Sequence, residues 1–101
     1  MDKSTVITLI SATYERDDIG QEVPKEARRD VFCDVMSVGM NEWYEAGRNG
    51  FKPDYKFVMN RFDYEGETEI EYLGKRYGVY RTYLYKTDGI ELYVEKKAGV
   101  Q

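Results

Sequence analysis

Glu65, Glu67, Glu69 and Glu71 stand at alternate positions, and in an extended strand four such carboxylates share one face. This is the nearest approach in the chain to a constellation that does chemistry. It reads either as a cation site or as a negatively charged surface turned toward DNA. Calcium sites normally wrap oxygens around the ion from a curved loop, which a flat strand does not do. The stripe is therefore expected to be an outer face, turned to water or to a polar channel and tempered by Arg76 and nearby lysines.

Other chemistries lack their residue types. The sequence contains no histidine and a single cysteine, Cys33. A thiol nucleophile usually needs a histidine partner, so Cys33, between Phe32 and Val35, is expected to be a small core residue. Without histidine or a second cysteine there is no zinc set. Gly47 and Gly50 lack the Lys-Ser/Thr pair that completes a phosphate-binding loop. No enzyme activity and no cofactor are expected.

The elements that would position these residues read as strands. With 101 residues, 42% of them hydrophobic and 34% charged, the chain has the balance of a single globular domain, 1–101. The charge count is 15 basic against 19 acidic, a net of −4, which disfavours gripping a phosphate backbone. The basic pairs Arg28-Arg29, Lys75-Arg76 and Lys96-Lys97 are scattered beside acids and read as solvated surface. One cysteine excludes an intramolecular disulfide and fits a reducing compartment. Met1-Asp2-Lys3 runs directly into Thr5–Ile10, which we read as a first strand and not a signal peptide, and no stretch has the length of a membrane span.

The C-terminal half carries the clearest pattern. Ile90, Leu92 and Val94 alternate with Glu91, Tyr93 and Glu95, as in a half-buried strand. Asp88-Gly89 is a favoured hairpin pair. As a two-residue loop it sets Lys86 against Glu91, Tyr85 against Leu92 and Tyr83 against Val94. Gly74-Lys75 as the loop of the preceding hairpin sets Tyr72 against Tyr77 and Ile70 against Val79. Both turns choose one inner face, with Tyr72, Tyr77, Tyr83 and Tyr85 in the core of a meander over 68–73, 76–87 and 90–96. Arg81 falls on that inner parity and needs a bulge, an open barrel end or a carboxylate partner.

Upstream, Tyr55, Phe57 and Met59 alternate as another strand. Val31–Val38 is apolar on both parities and is expected to be covered on both sides. Between them, Asn41–Arg48 predicts a helix of about two turns, capped by Asn41, with Glu42 and Glu45 at the positive end and Arg48 at the negative, stopped by Gly47 and Gly50. The expected fold is all-β: a small antiparallel β-barrel with one short helix in a long loop. Segments 1–4, 15–27 and 39–54 are the expected exposed termini and loops. In the last of these, Asn41, Glu42, Trp43, Tyr44, Glu45, Arg48, Phe51 and Lys52 are the candidate interface residues. A short helix in a loop presents bulky aromatics such as Trp43 and Tyr44 poorly to its own core.

Taken in order, Glu42-Trp43-Tyr44-Glu45-Ala46-Gly47, Lys52-Pro53-Asp54-Tyr55-Lys56-Phe57, Tyr64-Glu65-Gly66-Glu67, Gly74–Arg81 and Ile90-Glu91-Leu92-Tyr93 resemble the head–tail joining, or head-closure, proteins of long-tailed bacteriophages and prophages. The resemblance covers nearly the whole chain and is weakest over Tyr14–Arg29. It implies a small β-barrel subunit in a cyclic ring of copies below the portal, with the portal or adaptor ring above and a tail-completion protein below. It implies a ring that closes the DNA-filled head and docks the tail, with genomic DNA passing through the channel without specific binding. It further implies that the connection between the second and third strands, here Gly39–Asp54, approaches the channel. The location implied is the host cytoplasm during assembly and then the virion neck. Two other classes are weighed beside it. One is a small oligonucleotide-binding barrel that stacks single-stranded bases on tyrosine, against which the acidic balance counts. The other is a small enzyme or enzyme inhibitor, against which the missing histidine counts.

Overall fold

A computed structural model describes residues 5–97 of the chain. Met1–Ser4, including the expected exposed N-terminus, lie outside the described residues. Six antiparallel strands and one short helix follow in the order β1 (Thr5–Arg16), β2 (Glu22–Met36), α1 (Met40–Arg48), β3 (Pro53–Asn60), β4 (Glu69–Tyr72), β5 (Lys75–Tyr85) and β6 (Gly89–Lys96), with a single 3-10 turn at Arg61–Asp63. The strands close into a barrel in the order β1-β2-β3-β6-β5-β4, and β4 returns to β1. The fold is the expected small all-β barrel, all-β as the alternating apolar pattern predicts and closed as the resemblance implies, with the one helix among the described residues in the β2–β3 connection.

Alternation fills the barrel. Ile7 and Leu9 of β1, Val31 and Cys33 of β2, Phe57 and Met59 of β3, Ile70 of β4, Tyr77 of β5, and Ile90, Leu92 and Val94 of β6 form one buried cluster. At one end Tyr55 meets Tyr72 and Tyr77 edge-on, with ring centroids 5.5 and 5.6 Å apart, and Phe57 meets Tyr72 at 5.4 Å. Such edge-to-face pairs add to what area burial alone provides. Cys33 is fully buried, and burial pushes its thiol up to about 12.

Registers differ from the sequence reading in both C-terminal hairpins. In β4–β5, Leu73 and Gly74 form the two-residue turn, both at positive φ (52° and 77°), so Ile70 pairs with Tyr77 and Tyr72 with Lys75. The slip is two residues, which preserves parity, and Tyr77 remains in the core. In β5–β6, Tyr85 pairs with Gly89, Leu84 with Ile90 and Tyr83 with Glu91, which leaves Lys86-Thr87-Asp88 as a three-residue loop. Lys86 therefore does not face Glu91, and Tyr83 is exposed. Gly89 is not a turn residue: a Cβ there would stand 2.7 Å from the Tyr85 backbone oxygen. Its missing side chain admits a close strand approach, a use of glycine distinct from the turn chemistry that Asp-Gly suggests.

The N-terminal hairpin is longer than expected. β1 and β2 stay paired from Thr5↔Cys33 out to Arg16↔Glu22, so most of segment 15–27 is strand and not loop. β1 contacts β4 only over Thr8–Ile10, and β2 contacts β3 only over Asp34–Met36. Beyond Ile10 the hairpin is a two-stranded ribbon, consistent with the 50 × 29 × 24 Å extents of the molecule. The Asp17 carboxylate closes its tip by accepting from the backbone N–H groups of Ile19 and Gln21 at 3.0 and 2.9 Å. Val31–Met36 is not covered on both sides: Val31 and Cys33 are buried, whereas Phe32, opposite Val6, and Met36 are exposed.

Candidate functional site

Two groups of candidates are separated by the fold. The four glutamates do not share a strand face. Only Glu69 and Glu71 lie in β4; Glu65 is in the preceding loop, and Glu67 turns inward and is buried. Charge partners explain the inward turn. Arg29 donates through Nε and Nη2 to one Glu67 oxygen at 3.0 and 2.7 Å, and the Glu65 backbone N–H donates to the other at 2.9 Å. Burial alone would raise the Glu67 carboxyl, but Arg29 and the backbone donors outweigh it and hold the group below the ordinary glutamate value. Glu69 is held low chiefly by Lys97 and also by Arg76, at 2.9 and 2.7 Å. Glu71 accepts from Arg28 at 3.1 Å. The stripe is thus largely neutralised, and among the described residues no group of three or more His, Cys, Asp or Glu is arranged to hold a metal ion.

The second group is the β2–β3 connection. Its helix begins at Met40, one residue before the expected start, and its N-cap is Gly39. No side chain caps it; Asn41 is exposed inside the first turn. The C-terminus is well specified. Gly50 takes φ +86°, the Gly50 N–H donates to the Gly47 carbonyl, and the Phe51 N–H donates to the Ala46 carbonyl. That is a Schellman motif, with Gly50 where a left-handed residue is needed. Gly47 itself is helical.

The helix buries little. Ala46 is its one buried residue, whereas Met40, Trp43 and Tyr44 are 68, 53 and 60% exposed. Trp43 and Tyr44 meet edge-on at 5.6 Å. Two open clefts flank Trp43: one of about 390 Å³ toward Gly47, Gly50, Phe51 and Lys52, the other of about 400 Å³ toward Val38 and Met40. A bulky apolar surface with a rim of Glu45, Arg48 and Lys52 has the make-up of a protein-contact patch.

What holds this patch on the barrel was only half visible in the sequence. The pairing of β5 with β6 shifts register between Val79 and Arg81. Consecutive strand residues normally point to opposite faces; at this bulge Tyr80 and Arg81 both reach Glu42, at 3.0 Å from the Tyr80 hydroxyl and 3.2 Å from Arg81 Nη1. Arg81 also donates to the Tyr83 hydroxyl at 3.0 Å. Burial, then the bond to Glu42, pushes the Tyr80 hydroxyl well up; burial and Glu91 do the same for Tyr93. Phe51 stacks on Tyr80, with centroids 4.7 Å apart and planes 14° apart. Arg81 thus has the bulge and the carboxylate partner that its misplaced parity called for. Tyr80 carried no comparable signal.

Comparison with models of known protein families finds no match, and comparison with curated proteins finds none.

Proposed function

We propose that the chain is a structural subunit of the neck of a tailed bacteriophage, a head-closure protein that assembles into a ring below the portal and presents a docking surface to the tail. One observation carries the reading: a closed six-stranded barrel holds out, on its β2–β3 connection, a helix whose Trp43 and Tyr44 face solvent. The sequence resemblance to head-closure proteins supports the same connection as the working end of the subunit. Its occupants would be a second copy of the chain, the portal or adaptor ring, and the tail-completion protein. The net charge of −4 supports passage of DNA through the ring without a tight grip on phosphates.

The test is immunogold labelling of tailed particles produced by a host that encodes the chain. Label at the head–tail junction is the expected result; label on capsid or tail tip, or none on particles, overturns it. Titrating the purified chain with single-stranded oligonucleotide, read by Trp43 fluorescence, separates the competing class. Micromolar binding would move the assignment to a nucleic-acid-binding barrel.

A further inference from the structure

The attachment of α1 is unbalanced. A helix of nine residues is too short to persist alone in water, so its contacts must hold it. Those contacts are few: the buried Ala46, Glu42 and, just after the helix, the Phe51–Tyr80 stack and the Lys52 N–H donated to the Glu95 carboxylate at 3.1 Å. Among them Glu42 is the polar anchor within the helix. Its side chain is only 12% exposed, and both of its donors come from adjacent residues of one bulge. The apolar side chains that would normally fix such a helix point outward instead.

We propose that α1 is a latched arm: the Glu42 carboxylate, gripped by Tyr80 and Arg81, keeps the helix on the barrel, and losing that grip frees residues 37–51 as one unit, still tethered at Lys52, while the barrel stays folded. The bulge is what makes the latch, since a regular β5 would present only one of the two donors to that side. The core cluster contains no residue of α1, so the barrel keeps its interior when the arm leaves. This inference does not rest on the neck assignment; any partner that competes for Glu42, Tyr80 or Arg81 would release the arm.

Hydrogen exchange of the full chain tests it, with Trp43, the sole tryptophan, as a second reporter. Two variants break the latch from opposite sides. Glu42→Ala removes the acceptor and leaves a good helix former. Tyr80→Phe with Arg81→Met removes both donors, leaves the helix sequence untouched and retains a ring to stack on Phe51. Both are expected to speed exchange at the Trp43, Asn49 and Phe51 amides at least tenfold and to lower Trp43 anisotropy, with exchange at Phe57, Leu92 and Val94 unchanged. Unchanged exchange in both variants overturns the latch. So does equal acceleration in the core, which would make α1 part of the barrel's own cooperative unit. Acceleration in Glu42→Ala alone would assign the effect to the helix's intrinsic stability and also overturn it.

Discussion

Arg29 and Glu67 join β2 to the loop before β4 through a two-donor contact on a single carboxylate oxygen, at 3.0 and 2.7 Å. The Tyr64 hydroxyl donates to the Glu67 carbonyl at 2.6 Å, and Arg29 also donates to the Asp63 carbonyl. These bonds fasten the middle of the 61–68 connection, whose ends are held by the Arg61 N–H donated to the Asp88 carbonyl and the Val79 N–H donated to the Thr68 carbonyl. Replacing Glu67 by Ala strands a guanidinium that is still partly open to water, and should cost about 2 kcal/mol in urea unfolding. A loss under about 0.5 kcal/mol would show that the loop is held by its other bonds without the Glu67 carboxylate.

Acid should weaken the fold in a defined direction. Glu67 and Glu69 have folded values below their ordinary ones, so their stabilisation is present above the unfolded value and lost as pH falls through the folded one. The urea midpoint is therefore expected to hold from about pH 7 to 5 and to decline below about pH 4.3, the unfolded glutamate range. Glu67→Gln should flatten part of that decline. An undiminished slope in Glu67→Gln would place the acid sensitivity elsewhere.

Leu73 occupies the left-handed region at φ 52° and is 79% exposed. It contributes strain and little burial. Leu73→Asn is expected to stabilise the protein by about 0.5–1 kcal/mol, because asparagine tolerates this conformation. Gly89→Ala should do the reverse, by about 2 kcal/mol, since its Cβ would meet the Tyr85 backbone oxygen at 2.7 Å. Thermal melting of the two variants decides both signs.

Trp43→Ala with Tyr44→Ala removes aromatics that the barrel does not use. Folding stability should stay within about 0.5 kcal/mol of the parent, while under the proposed neck function attachment of tails to filled heads should fail, as expected when an interface loses an anchor worth roughly 2 kcal/mol or more. Melting of the purified subunit and the yield of joined particles are the paired measurements. A large fall in melting temperature would return these side chains to a core role.

Cys33 should be silent toward thiol reagents in the native state. It is fully buried and its thiol is pushed up to about 12, so little thiolate forms and none is reachable. Modification at pH 8 is expected to track the unfolding rate. Rapid native labelling would mean that β2 opens locally.

Much of this was legible in the sequence where one rule acted alone. Period-two alternation located the strands around Phe57, Ile70 and Leu92, while closure into a barrel came with the family resemblance and not from the alternation. The failures came where two rules competed at one residue. Asp88-Gly89 satisfies the turn rule, but Gly89 serves strand packing, so the loop shifted and Tyr83 left the core. Glu67 follows the alternation of an exposed stripe, yet Arg29, 38 positions away in sequence, draws it inside. Asn41 is a good N-cap type, but the chain enters the helix at Gly39 and leaves that side chain unused. For the candidate site, the aromatics of α1 were visible as misfits for a short helix; Tyr80 was not, because its role depends on a bulge that no local residue type announces.

The short pairings on either side of the β1–β2 hairpin have a mechanical consequence. Among the described residues, Thr8–Ile10 against β4 and Asp34–Met36 against β3 are all the backbone ladder that ties this hairpin into the barrel wall. The remaining four strands are joined by longer ladders, above all β3 with β6 and β5 with β6. Under load applied to the ribbon tip, the hairpin would peel away as a tab, its own rungs intact, and the β3-β6-β5-β4 sheet would remain as a curved plate with its apolar side bared.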